Sequence, residues 1–236
     1  MRPWGGWPGG LWQDEAVGRY QAVLLDWRGV VALDPEPSWW VRRALASLGR
    51  QIDVEVVDAA VAGITAAGSL PEILEAERHE DCSAELNRSV SMLRFEKAGL
   101  DAELAEALYQ LDFEPESHPL YPDIPDVLAA IQALGVKIAL VSDIHFDLRA
   151  DLTKHGVADL FDAYVLSFEH GFQKPDPRMF QLALDAVSVE ASDALMVGDR
   201  VSHDGGAVSV GVTTLILPVL HELVPRRLDV VLRLLE

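Results

Sequence analysis

Cysteine is nearly missing from this chain: Cys82 is the only one in 236 residues. An internal disulfide is therefore excluded, and a reducing compartment is the natural setting. Cys82 itself reads as a small half-buried helix residue. Positive charge is scarce as well. Nineteen Lys and Arg face 38 Asp and Glu, a formal net charge of −19. Such a surface repels phosphate backbones and anionic bilayers, so neither nucleic acid nor membrane is an expected partner. A local site can still be positive and accept a small anion. No apolar run reaches the roughly 18 residues that span a bilayer. The opening, Met1-Arg2-Pro3-Trp4-Gly5-Gly6-Trp7-Pro8-Gly9-Gly10, lacks the roughly 7–15-residue apolar stretch of a signal peptide. A cytoplasmic protein is expected, with residues 1–19 as a flexible N-terminal extension.

What is present is a substantial core, since half the residues are apolar and 24% are charged. Ala22-Val-Leu-Leu-Asp26 is an apolar run ending in a polar residue, the pattern of a strand buried on both faces. It recurs at Val136–Ser142, Ala163–Ser167, Ala194–Gly198 and Thr213–Leu217. Helix-like segments, Asp147–His155, Pro177–Val187 and Asp204–Val210, separate the later runs, with Gly156 and Gly211 placed as helix-ending glycines. Alternating strands and helices with short connections imply a parallel sheet covered on both faces. Ligands of such sheets bind outside the carboxyl ends of the strands.

The first and second strands are separated by a long stretch of different character. Leu100, Leu104 and Leu108 follow helical spacing, as do Val54 and Val57, and strand-like alternation is absent. The length exceeds an ordinary crossover. The expected organisation is an α/β core over 20–35 and 118–236, interrupted by an all-helical domain over 36–117. Leu120-Tyr121-Pro122-Asp123-Ile124 then leads into a core helix over Pro125–Leu134.

The chemistry-bearing residues end the apolar runs. They are Asp26 in Leu24-Leu25-Asp26-Trp27-Arg28-Gly29, Ser142 before Asp143, Lys174 in Gln173-Lys174-Pro175-Asp176-Pro177, Asp199 after Gly198, and Asp204. A carboxylate, a hydroxyl, an ammonium and an acid pair together suit phosphoryl transfer. In this order they resemble the haloacid dehalogenase-like (HAD) hydrolase superfamily, in its members with a helical cap inserted after the first motif. The most specific stretches are Ser167–Phe180 and Val197–Ala207.

The resemblance implies a Rossmann-like three-layer core with a helical cap, and a magnesium-dependent phosphatase of small phosphorylated metabolites working through an aspartyl phosphate. It makes Asp26 the nucleophile, Ser142 the hydroxyl that bonds a phosphoryl oxygen, and Lys174 the ammonium that neutralises both. It makes Asp26, Asp199, Asp204 and the backbone carbonyl of Arg28 the Mg2+ ligands, with hydrogen bonding to Lys174 the alternative role for Asp204. Gly29 fits the tight turn after the nucleophile.

One position departs. Phosphatases of this family carry an aspartate two residues after the nucleophile, which protonates the leaving oxygen and then activates water. Arg28 is permanently protonated and can do neither. That group is worth about 10²–10⁴-fold in rate. His145 is the nearest substitute in sequence, although an ordinary loop histidine is the simpler reading; Asp143 is also open. Three chemistries remain. One is a hydrolase of substrates with good leaving groups, such as acyl phosphates. Another is a dehalogenase-type enzyme in which Arg28 holds a substrate carboxylate, against which the retained Asp199 argues. The third is a non-catalytic binder of a phosphorylated ligand or partner, with Arg28 placed among Asp26, Asp199 and Asp204. Arg78, His79, Arg88, Arg94 and Lys97 of the helical region are cations within reach of an anionic substrate, but solvated helix faces account for most of them. A homodimer through that region is compatible with the sequence, and nothing compels it.

Overall fold

A computed structural model describes residues 19–235, so most of the N-terminal extension, including Trp4 and Trp7, lies outside the described residues. Five parallel strands form one sheet in the order β3-β2-β1-β4-β5: β1 (Ala22–Leu25), β2 (Lys137–Ser142), β3 (Ala163–Leu166), β4 (Ala194–Gly198) and β5 (Thr213–Ile216). These match the strands expected from the sequence to within a residue at most ends. β1 is central, in register with β2 through Leu25 and Leu140 and with β4 through Leu25 and Val197. The residues that follow β1, β2 and β4 therefore emerge side by side at one edge of the sheet.

Successive strand residues feed opposite faces, as a period of two requires. Val23, Leu25, Ile138, Leu140, Leu195 and Val197 are buried on one side with Ile124, Leu128 and Val231. Ala22, Leu24, Ala139, Val141 and Met196 are buried on the other with Met179, Phe180 and Ala183. The helices of the core are α6 (Ile124–Ala133), α7 (Arg149–Lys154), α8 (Ser167–His170), α9 (Pro177–Val187) and α10 (Asp229–Leu235). The fold is thus a three-layer, Rossmann-like arrangement.

Two elements depart from expectation. The helix expected from Asp147 begins at Arg149, because the Asp147 carboxylate accepts the Arg149 N–H at 3.0 Å and closes a local turn before it. Asp204–Val210 is a 3₁₀ helix. Gly205 and Gly206 weaken an α-helical start, and a Cβ at Gly206 would collide with Pro175. At its end Gly211 adopts φ +93, the left-handed cap its position suggested.

Between β1 and β2 the chain is helical: α1 (Pro37–Ser47), α2 (Val54–Gly68), α3 (Pro71–Ala76), a 3₁₀ segment Glu77–Cys82, α4 (Ala84–Lys97) and α5 (Ala102–Leu111). The Ser83 and Asp101 side chains cap α4 and α5 by accepting N–H groups of their first turns. Val41, Leu45, Val57, Leu104 and Leu108 form a third buried cluster, separate from the two under the sheet. Val54 is exposed, although helical spacing paired it with Val57. Cys82 is buried rather than half-buried, closing the 3₁₀ segment. The chain leaves and re-enters the sheet region at adjoining points: the Leu33 N–H donates to Pro119 O at 2.9 Å and the Tyr121 N–H to Val31 O at 3.2 Å. Among the described residues no single helix is long and apolar enough to cross a membrane.

His118 lies at this re-entry. Its side chain is 2% exposed, Nε2 donates to Asp112 O at 3.0 Å, and Nδ1 is buried without a partner among the described residues. Burial, reinforced by the Arg28 charge, depresses its pKa from 6.5 to about 4. The unfolded chain therefore binds a proton at pH 4–6.5 that the native state refuses. Stability from this group is complete above 6.5 and is lost as pH falls toward 4. Between pH 7 and 4.5 the wild type is expected to lose on the order of 2–3 kcal/mol more stability than His118→Gln. Urea unfolding of both proteins at the two pH values measures this, and equal losses would refute it.

Candidate functional site

Asp26 follows β1 directly and is 4% exposed. Its Oδ1 accepts the Trp27 N–H at 2.7 Å and lies 2.8 Å from Lys174 Nζ. The same ammonium reaches Asp204 Oδ1 at 2.7 Å. Lys174 is 1% exposed, and its backbone N–H donates to Asp143 Oδ1 at 2.8 Å. Burial alone would depress this ammonium, but the charges of Asp26, Asp204 and Asp143 outweigh it and raise its pKa above the ordinary lysine range. Lys174 is therefore a fixed cation.

The carboxylates around it respond differently. Burial pushes Asp26 upward against the pull of Lys174. Asp204 also feels burial, yet Lys174 and the Arg200 N–H hold it below its ordinary value. Its Oδ2 accepts the backbone N–H groups of Arg200 at 3.0 Å and Asp199 at 3.2 Å. Asp199 rises to about 6, first through burial and then through the charge of Asp26. Asp143 rises to about 7, chiefly through burial.

One ligand atom from each of Asp26, Asp199 and Asp204 can be chosen so that all lie within 4.8 Å of one another. The Asp199 carboxylate accepts no hydrogen bond among the described residues, and the Arg28 carbonyl accepts none from the backbone. Asp26, Asp143, Asp199 and Asp204 outnumber the cations Lys174 and Arg200 beside them. Hard oxygens with surplus negative charge are the donor set a magnesium ion takes. The residues fit the ion. Close packing keeps this geometry: a Cβ at Gly29, whose φ is +75, would overlap the Asp199 carboxylate, and one at Gly198 would overlap Asp204.

Ser142 ends β2 and is 2% exposed, and among the described residues its hydroxyl makes one long hydrogen bond, to the Asp143 carbonyl at 3.5 Å. The Arg28 side chain turns the other way. Its guanidinium pairs with Asp112, the residue capping α5, and lies 5.9 Å from the Trp40 ring. An arginine placed among Asp26, Asp199 and Asp204 is therefore corrected, because Asp112 offers a closer carboxylate on the helical side. His145 is buried against Tyr109, Phe113 and Phe146, with Nδ1 at 3.5 Å from Asp81 and Nε2 at 3.7 Å from Asp112.

A cavity of about 530 Å³ lies between the helical region and the sheet edge, lined by Arg28, Trp40, Arg94, Asp143, His145 and Arg200 among others. Arg94 is held there by Glu77 and Glu80. Arg78, Arg88 and Lys97 instead make exposed ion pairs, and His79 is exposed.

Sequence reasoning missed Arg200, whose Nη2 lies 3.3 Å from Asp143; a cation directly after Asp199 was the available signal. It missed Gln173 too. Oε1 of that residue accepts the Asp81 N–H and Nε2 donates to Glu77 O, both at 2.9 Å, tying the Glu77–Cys82 segment to the residue before Lys174. Arg227 was also unsignalled; its Nε donates to Gly29 O at 2.8 Å and steadies the turn after Asp26.

The model of the haloacid dehalogenase-like hydrolase family matches residues 20–211. The phosphoserine phosphatase of Thermus thermophilus is 40% identical over 103 residues, covering 43% of this chain and 40% of that enzyme. The shared stretch is thus under half of either protein. The HAD phosphatase of Thermococcus onnurineus superposes with a TM-score of 0.56 at 25% identity, over 89% of this chain and 91% of that one. The HAD-hydrolase YfnB of Bacillus subtilis shares the fold, with a TM-score of 0.71 at 18% identity over 92% and 99%. The chain belongs to the haloacid dehalogenase-like hydrolase family.

Proposed function

We propose that this chain is a magnesium-dependent phosphatase of small phosphorylated metabolites, acting through a phosphoaspartate on Asp26. The carrying observation is the buried Lys174 ammonium, 2.8 Å from Asp26 and 2.7 Å from Asp204. Similarity to a phosphoserine phosphatase and to a HAD phosphatase supports the same reading. Residues 20–35 and 118–236 serve as the catalytic core and 36–117 as the cap, with the cavity between them as the substrate chamber. The single cysteine fits work in the cytoplasm.

Trp27 N–H and Lys174 orient Asp26 through Oδ1, leaving Oδ2 for in-line attack on phosphorus. The bond from phosphorus to the leaving oxygen breaks, and that oxygen keeps the electron pair. Lys174 and the Ser142 hydroxyl hold phosphoryl oxygens while charge redistributes. Water then attacks the phosphoaspartate, releasing inorganic phosphate and restoring the carboxylate. Asp26, Asp199, Asp204 and the Arg28 carbonyl would hold Mg2+, which when bound neutralises phosphoryl charge as a Lewis acid.

Arg28 donates no proton to the leaving oxygen, and its guanidinium is committed to Asp112. The reading therefore favours leaving groups that depart unprotonated. The same commitment speaks against Arg28 as a holder of a haloacid carboxylate.

Acetyl phosphate is expected to turn over about 10²–10⁴-fold faster than glycerol phosphate, the share a general acid supplies. Phosphate release measures this, and equal rates would show that another group protonates the leaving oxygen. Asp26→Asn should lose roughly a thousandfold or more of the acetyl phosphate rate. Full activity in that variant would end the proposal. EDTA should abolish turnover and added Mg2+ restore it; indifference to the chelator would remove the metal from the reaction.

A further inference from the structure

We propose that the leaving group of the substrate carries a protonated amine, received in the cavity by Asp81, Asp112 and His145. This rests on the phosphatase reading and adds the chemical class of what is cleaved from the phosphate. The first support is the charge inventory of the cavity wall. Every guanidinium there is already engaged: Arg28 by Asp112, Arg94 by Glu77 and Glu80, and Arg200 by Asp143. Among the described residues of this wall, no arginine is left to greet a second anionic group on the substrate. Asp34 and Asp81 remain on the same wall, and neither has a Lys or Arg within ion-pair distance among the described residues.

The second support is independent of that surplus and concerns His145, which lines the cavity with a side chain 1% exposed. Asp81 lies 3.5 Å from its Nδ1, the shorter of the two carboxylate approaches to the ring, and we assign the proton of the neutral ring to that nitrogen. Nε2 then presents a lone pair, and among the described residues it has no hydrogen-bond partner. Asp112 Oδ2, itself an acceptor, lies 3.7 Å from it. With the proton so assigned, Nε2 and Asp112 Oδ2 are two acceptors side by side, and among the described residues no donor is hydrogen-bonded to either. A buried arrangement of this kind calls for a ligand that brings N–H groups and no lone pair, and an ammonium has three donors and no acceptor.

The inference also fits the chemistry at position 28. An ammonium close to the ester oxygen withdraws electron density and makes that oxygen a better leaving group. A site whose Arg28 cannot protonate the departing oxygen gains most from such a substrate.

The test compares two phosphomonoesters of matched length, ethanolamine phosphate and propyl phosphate, with the full chain and Mg2+ at pH 7. A charge-assisted hydrogen bond corresponds to about tenfold or more, so kcat/KM for ethanolamine phosphate should exceed that for propyl phosphate by at least this factor. Phosphoglycolate, which places a carboxylate there, should be poorer than both. In Asp81→Asn the ratio between the first two should fall toward one. A wild-type ratio of one or less, as a self-satisfied imidazolium between Asp81 and Asp112 would give, overturns the inference, as does preference for phosphoglycolate. In either case continued turnover of acetyl phosphate leaves the phosphatase reading standing. If no phosphate ester or acyl phosphate is hydrolysed, that reading falls instead. Calorimetric affinities of Asp26→Asn for the same two esters then decide the amine separately, tighter binding of ethanolamine phosphate supporting it and equal binding refuting it.

Discussion

The ammonium of Lys174 between Asp26 and Asp204 is the interaction on which the remainder of this molecule depends. Three charged groups are almost fully withdrawn from water, and each is tolerable there only because of the others. Removing one member of a buried pair typically costs about 3–5 kcal/mol, because its partner is left charged and unsolvated. The surrounding chain is arranged to prevent that. β1 delivers Asp26, the turn before α9 delivers Lys174, and the 3₁₀ helix after β4 delivers Asp204. Their meeting point follows from the strand order, which sets β1 between β2 and β4. Gly29 and Gly198 belong to the same constraint, since neither has room for a side chain, the first against the Asp199 carboxylate and the second against that of Asp204.

Legibility in the sequence followed the physics of each element. The strands were readable because burial on both faces leaves unbroken apolar runs such as Ala22–Leu25 and Ala194–Gly198. Asp26, Ser142 and Asp199 stood out as candidates because each ends or follows such a run, and Lys174 because Pro175-Asp176-Pro177 comes directly after it. The helical character of α1 to α5 was readable from spacing, but its packing was not. Val54 and Val57 share one pattern and only the second is buried. The 3₁₀ form of Asp204–Val210 was hidden because its cause is the close approach of Pro175 to Gly206, a contact between residues far apart in the chain.

Side-chain direction was the least accessible information. Arg28 stands two residues from Asp26, and proximity along the chain placed its charge among the carboxylates of the site. Its real partner, Asp112, lies 84 residues away. Gln173 shows the converse. An uncharged residue beside Lys174 carried no chemical signal, yet its amide holds the backbone of Glu77 and Asp81. Contacts made by amides and carbonyls leave little trace in composition, because almost any sequence supplies them.

The crossing at residues 31–33 and 119–121 has a broader consequence. The helical region departs from the sheet and comes back through neighbouring strands of backbone, joined by Leu33 with Pro119 and Tyr121 with Val31. Its own buried cluster shares no residue with the layers around the sheet. Evolution can therefore lengthen, shorten or repaint that module without rethreading the scaffold that carries Asp26 and Lys174. Packing inside that module and packing around the buried Lys174 triad are then free to change independently and at different speeds.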